Sequence, residues 1–231
     1  MPNGGYGQFC PVAMASEVLC SRWTMLVLRE LCAGSTRFND LRRGVPRMSP
    51  TLLSKRLREL EAQGVIERVR GTGGAPAEYR LTAAGRDLRS IIFAMGVWGQ
   101  RWVETHDTLK NLDPSLLMWD MRRNLDPTPL PRTRSVIQFM YPELARARQN
   151  YWLIVEEGEA DLCAQDPGFD VDLYVVTDVR TMTAIWMGLT SVAKEARADR
   201  IELTGRVDLK RSMQKWLGLS PFARERNRRA A

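Results

Sequence analysis

Leu52, Leu53, Leu57 and Leu60 recur at about 100° per residue, so a helix over residues 50–63 gathers them on one face. Thr51, Lys55, Arg58 and Ala62 then fall on the opposite face, with Ser54 beside them. Ser49 can cap free N–H groups, Pro50 fits the first helical position and Gly64 ends the run. Just upstream, residues 38–43 predict a short helix and residues 44–48, with Pro46, a turn, so the two helices have a helix-turn-helix rhythm. Before them, residues 10–21 predict a helix with Val12, Ala15, Val18 and Leu19 on its apolar side. Residues 22–33, closed by Gly34, predict another on which Trp23, Leu26, Val27, Glu30 and Leu31 repeat.

After the leucine-faced helix the pattern changes to strands. Residues 65–70 and 77–81 flank the segment GTGGAP and predict a hairpin, which in this position is the wing of a winged helix. That glycine-rich loop lacks the following Lys-Ser/Thr and helix of a nucleotide site, so it is a turn. Thr82 caps a helix expected to reach His106, with Leu88, Ile91, Ile92, Met95, Trp98 and Trp102 in one stripe that Phe93 and Val97 widen. So much apolar surface is covered by a second subunit or by a second domain.

The rest of the chain alternates differently. Residues 113–124 predict a helix, Pro127, Pro129 and Pro131 mark the passage into a sheet, and residues 135–141, 151–156, 160–165 and 171–177 predict strands. Asp178 caps a helix carrying Met182, Ile185, Trp186 and Leu189; a further helix, a strand over 201–204 and a helix over 207–217 follow. The expected fold class is α+β: an N-terminal winged helix-turn-helix over residues 1–108, then a mixed α/β domain over 109–231 with a basic tail.

Charge separates the two halves. Residues 37–58 hold seven Arg/Lys against one acid, Asp40, and residues 1–106 are net +6, whereas residues 107–223 are net −2. A basic helix-turn-helix predicts contact with double-stranded DNA through Ser49, Thr51, Ser54, Lys55 and Arg58, with Arg42, Arg43 and Arg70 on phosphates. No apolar run approaches a membrane span and no secretory pattern opens the sequence, so the expected location is the cytoplasm, on the nucleoid. Cys10, Cys20, Cys32 and Cys163 lack zinc-site or disulfide spacing, and no metal or other cofactor is expected.

Taken together, CPVAMASEVLCSRWTMLVLRELCAGSTRFNDLRRGVPRMSPTLLSKRLRELEAQGVIERVR and the later EYRLTAAGRDL resemble the HxlR branch of the MarR-like winged-helix transcription regulators. The hallmarks are Cys10-Pro11-Val12, Arg22-Trp23, RFNDLRR from Arg37, Leu53-Ser54, Arg56-Leu57 and Tyr79-Arg80-Leu81-Thr82. The resemblance implies a homodimer joined through the N-terminal segment and the helix after the wing, reading a two-fold operator. It also makes Cys10 a candidate sensor of oxidants or electrophiles through its thiolate, beside the plainer reading of a small interface residue. The wing departs from the pattern in having a neutral tip.

Residues 175–222, VVTDVRTMTAIWMGLTSVAKEARADRIELTGRVDLKRSMQKWLGLSPF, resemble the sterol-carrier-protein-like lipid-binding fold in their strand-TD-helix-W-x-G order and closing WLGLSPF. This implies a chamber for an apolar small molecule, and Trp186, Trp152, Phe139, Trp119 and Met182, with Met118 and Leu189, are candidates to line it. Spacing alone does not separate a chamber from a filled core. Catalysis has little support: the single histidine, His106, stands at a helix end, and Ser191-x-x-Lys194 lacks the companion motifs of a serine/lysine nucleophile. Two readings stay open, a ligand-responsive DNA-binding regulator, and a lipid carrier or enzyme whose winged helix serves protein contacts.

Overall fold

In the computed structural model of the protein, residues 5–71, 76–103, 109 and 112–225 are described. His106 and the neighbouring residues 104 and 105 to which the long helix is expected to run, the wing tip at 72–75, the 108/109 boundary and Arg226, Arg228 and Arg229 lie outside them, and the described helix stops at Trp102. The chain forms two compact units, Met1–Gly96 and Val97–Ala231.

The first unit contains α1 (Pro11–Leu19), α2 (Thr24–Cys32), α3 (Phe38–Gly44), α4 (Pro50–Ala62), the hairpin β1 (Ile66–Val69) and β2 (Glu78–Leu81), and the start of α5 (Ala83–Trp102). Its core is Val27, Leu28 and Leu31 of α2, Leu41 of α3, Leu53, Leu57 and Leu60 of α4, and Ile66, Leu81 and Ile92. Thr82 locks the wing to α5: its hydroxyl donates to Gly64 O at 2.7 Å and accepts from Gly85 N at 3.3 Å. Gly85 has no room for a side chain, because a Cβ there would meet Val65 O at 2.1 Å.

Three expectations are corrected here. Residue 22 does not begin α2: Trp23 precedes the helix at φ 78°, an uncommon backbone for a bulky residue. The apolar side expected on α1 is not core, since Val12 is 73% exposed and only Val18 and Leu19 lean on the unit's interior. The single stripe expected on α5 divides, with Ile92 buried and Leu88 half-buried, while Ile91, Met95 and Trp98 face outward. Leu88 and Ile92 form one i,i+4 row and Ile91 and Met95 the adjacent one, so it is packing, not periodicity, that separates the buried row from the exposed one.

The second unit is built on a five-stranded sheet, β3 (Ser135–Met140), β4 (Asn150–Glu156), β5 (Glu159–Cys163), β6 (Leu173–Thr177) and β7 (Ile201–Gly205), in the order β5-β4-β3-β6-β7. All pairings are antiparallel except β3 with β6. The β4–β5 turn has Glu157 and Gly158 both at positive φ, which matches the twist of a two-residue hairpin. Helices α6 (Pro114–Arg123), α7 (Val179–Trp186), α8 (Val192–Arg197) and α9 (Val207–Trp216) complete the unit. They bury Met118, Met182, Val192 and Trp216 against Ile137, Phe139, Leu153 and Val175 on one sheet face. Asp113 caps α6 and Asp178 caps α7. The α7 helix stops short of the expected Leu189: Gly188 at φ 72° turns the chain, and Leu189 is exposed.

Candidate nucleic-acid interface

The Ser49 hydroxyl accepts from Leu52 N at 3.3 Å and Pro50 follows at the first position, so α4 starts where the local chemistry predicts. Gln63 caps its C-terminus and Gly64 leaves it at φ 69°. With Leu53, Leu57 and Leu60 fully buried, α4 cannot rotate without exposing them, and this fixes what it presents outward: Thr51, Lys55 and Arg58 are exposed and Ser54 is half-buried.

The outward cations differ in freedom. Lys55 Nζ lies 3.9 Å from Glu59 Oε1, a loose exposed pair that can release the lysine at little cost. Arg58 has no partner among the described residues. Arg56 is not an outward cation: its Nε donates to Arg22 O at 3.2 Å and its guanidinium pairs with Glu59, tying α4 to the turn before α2. Arg42 and Arg43 stand exposed at the end of α3, Arg43 at 3.5 Å from Asp40. Arg70 is exposed at the end of β1.

A feature the sequence reading missed lies beside the hairpin. Tyr79 N donates to Thr36 O at 2.8 Å and Arg37 bridges Glu78 in antiparallel fashion, so the residues before α3 add a third short run alongside β2. The alternation of residues 36–37 is too short to announce a strand. Arg37 is thereby brought to the wing.

The other candidates are placed as follows. Phe139, Met182 and Trp186 meet in the core of the second unit, and Met118 is with them. Trp152 is buried but on β4 it alternates with Tyr151 and Leu153, which face that core, so it belongs to the other face of the sheet. Trp119 is buried under the Arg122 guanidinium, 4.2 Å from its ring. Ser191 Oγ accepts from Lys194 N at 3.2 Å, which explains the Ser-x-x-Lys spacing as a helix cap. Cys10, exposed at the start of α1, has its thiol pKa lowered by the backbone N–H groups of Ala13 and then Val12; burial raises that of Cys32. No helix among the described residues is long and apolar enough to cross a membrane.

A buried-leucine helix with a cationic outer face, preceded by a short helix and turn and followed by a hairpin, defines a winged helix-turn-helix of the DNA-binding class. The HxlR-like helix-turn-helix family matches residues 18–107. The HTH-type transcriptional regulator sll1512 of Synechocystis is 38% identical over 99 residues, covering 42% of this chain and 73% of its own length. YdeP of Bacillus subtilis, another regulator of this type, is 35% identical across 44% of this chain and 80% of its own. Mb3122 of Mycobacterium bovis, also named an HTH-type transcriptional regulator, is 37% identical across 52% of this chain and 85% of its own. Among solved structures, the redox regulator HypR in its reduced form is 34% identical across 39% of this chain and 90% of its own, with a TM-score of 0.37. The chain belongs to the HxlR-like helix-turn-helix family and is a DNA-binding transcriptional regulator of that type.

Proposed function

We propose that the protein binds a two-fold DNA operator as a homodimer and that its second unit receives an apolar small molecule that alters this binding. The observation that carries the DNA reading is the outward face of α4, where Thr51, Lys55 and Arg58 stand opposite the buried Leu53, Leu57 and Leu60. Thr51, Ser54, Lys55 and Arg58 reach base edges in the major groove, while Ser49, Arg42, Arg43 and Arg70 hold phosphates and set the register. Two such helices, one from each subunit, enter major grooves about one helical turn apart.

Dimerisation is supported by apolar side chains that the single chain leaves in solvent: Ile91, Met95 and Trp98 along α5, and Val12 and Met14 on α1. The second unit is read as a sterol-carrier-protein-like domain. Supporting this are the order Thr177-Asp178, α7, Trp186-Met187-Gly188, the closing WLGLSPF, and a sheet with one face roofed by helices over Phe139, Met182 and Trp186.

The test is electrophoretic mobility shift with the DNA upstream of the protein's own gene. Arg58→Ala should weaken binding by about 1–3 kcal/mol and relax the choice of base at one position. Unchanged affinity in both Lys55→Ala and Arg58→Ala would sink the assignment of α4.

A further inference from the structure

The root of the wing encloses a concavity of about 270 Å³, bounded by Arg37, Val69, Arg70, Pro76, Glu78 and Arg80. Both arms of the hairpin and a residue some thirty positions earlier meet there, because the bridge from Arg37 to Glu78 brings the start of α3 to the wing. The charges within it are not equivalent. Arg80 is spoken for: its Nη2 lies 2.8 Å and its Nε 3.2 Å from Glu78 Oε2. The side chains of Arg37 and Arg70 are exposed and have no ion-pair or hydrogen-bond partner among the described residues. Three arginines and one glutamate thus line the concavity, with the guanidinium groups of Arg37 and Arg70 uncommitted.

Two like charges facing one hollow repel each other, and an anion between them removes that cost and gains two forked sets of N–H donors. A phosphate suits them best, since its several oxygens and its charge match two guanidinium forks better than a single carboxylate does. The wholly apolar side chains of the lining are Val69 and Pro76, and charged side chains outnumber them. We propose that this notch is an oxyanion site in which Arg37 and Arg70 bracket one phosphate group. The phosphate is carried either by the DNA backbone beside the wing or by a free small molecule that competes with it. Only the DNA arm rests on the function proposed above. Glu78 tempers the site: its carboxylate neutralises Arg80 and repels the incoming anion.

The full-length protein can be tested without knowing its operator. Affinity for a fluorescent duplex of arbitrary sequence is measured against salt concentration, and inorganic pyrophosphate binding is measured by calorimetry at fixed ionic strength. If the phosphate belongs to DNA, Arg37→Gln and Arg70→Gln should each flatten the slope of log K against log salt, and the double variant by about 0.9, the value for the one phosphate they share. Glu78→Gln should raise the affinity of the same duplex. If the phosphate is a free one, pyrophosphate should bind the wild type, displace the duplex and lose both effects in the Arg37→Gln/Arg70→Gln double variant. Should the wild type bind no duplex, the DNA reading falls, yet a pyrophosphate signal abolished in the double variant would keep the notch. The proposal is overturned if the double variant matches the wild type in both salt slope and pyrophosphate response, or if the wild type binds neither probe.

Discussion

Glu30 is completely buried beneath the turn between α3 and α4. Its neighbour Arg29 donates to Glu30 Oε1 at 2.7 Å and to Gly44 O at 2.8 Å, so an ion pair between adjacent residues clips α2 to the end of α3. Gly44 is there because nothing larger fits: a Cβ would stand 1.8 Å from Glu30 Oε2. Gly44→Ala should therefore destabilise the first unit by about 1–3 kcal/mol, although alanine is the better helix former by roughly 1 kcal/mol. Thermal unfolding reads this as a lower Tm, and an unchanged or higher Tm would show that the turn has slack. The sequence placed Glu30 on the apolar stripe of α2, which was the visible sign of a buried charge. The clip itself was not visible, because the Arg29 that pairs with Glu30 also reaches a backbone carbonyl 15 residues away.

Among the elements, helix limits were the most legible where the caps are chemical. The cap and proline at Ser49-Pro50 and the aspartates at 113 and 178 start helices as expected. Less legible was which neighbour a helical face serves. Periodicity marks both rows of α5 as apolar, but only packing assigns Leu88 and Ile92 to the helix's own unit and leaves Ile91, Met95 and Trp98 outside. That outer row, with Trp98 at 60% exposure, is the surface expected to meet a second copy. Sedimentation should give a dimer at micromolar concentration, and Trp98→Glu should shift it toward monomer by placing a charge in an apolar contact. A wild-type monomer under those conditions would remove the dimer reading.

At the scale of the whole molecule, the opposite charge of the two halves was legible in composition, but strand neighbours were not. Pairing of β3 with β6 joins residues separated by two other strands, a choice that local alternation cannot encode. Trp152, by contrast, was grouped with Phe139 and Trp186 although on β4 a period of two sends it to the other side of the sheet. Regulation through the second unit requires an apolar ligand to prefer one arrangement of the protein, and about 1.4 kcal/mol of preference changes operator affinity tenfold. Tryptophan fluorescence should respond to long-chain or aromatic apolar compounds, and Trp186→Phe, which keeps the core filled, should diminish that response while ligand-free DNA binding persists. If no such compound changed either fluorescence or operator binding, the unit would be a structural one. The parallel β3–β6 ladder also sets an order of events at the ribosome. The core of the first unit is complete once Ile92 has emerged, but β3 keeps a bare edge until Leu173–Thr177 follows it out. A nascent chain therefore carries a finished basic head while the later unit is still being made, and for that interval its encounter with DNA is governed by the head alone.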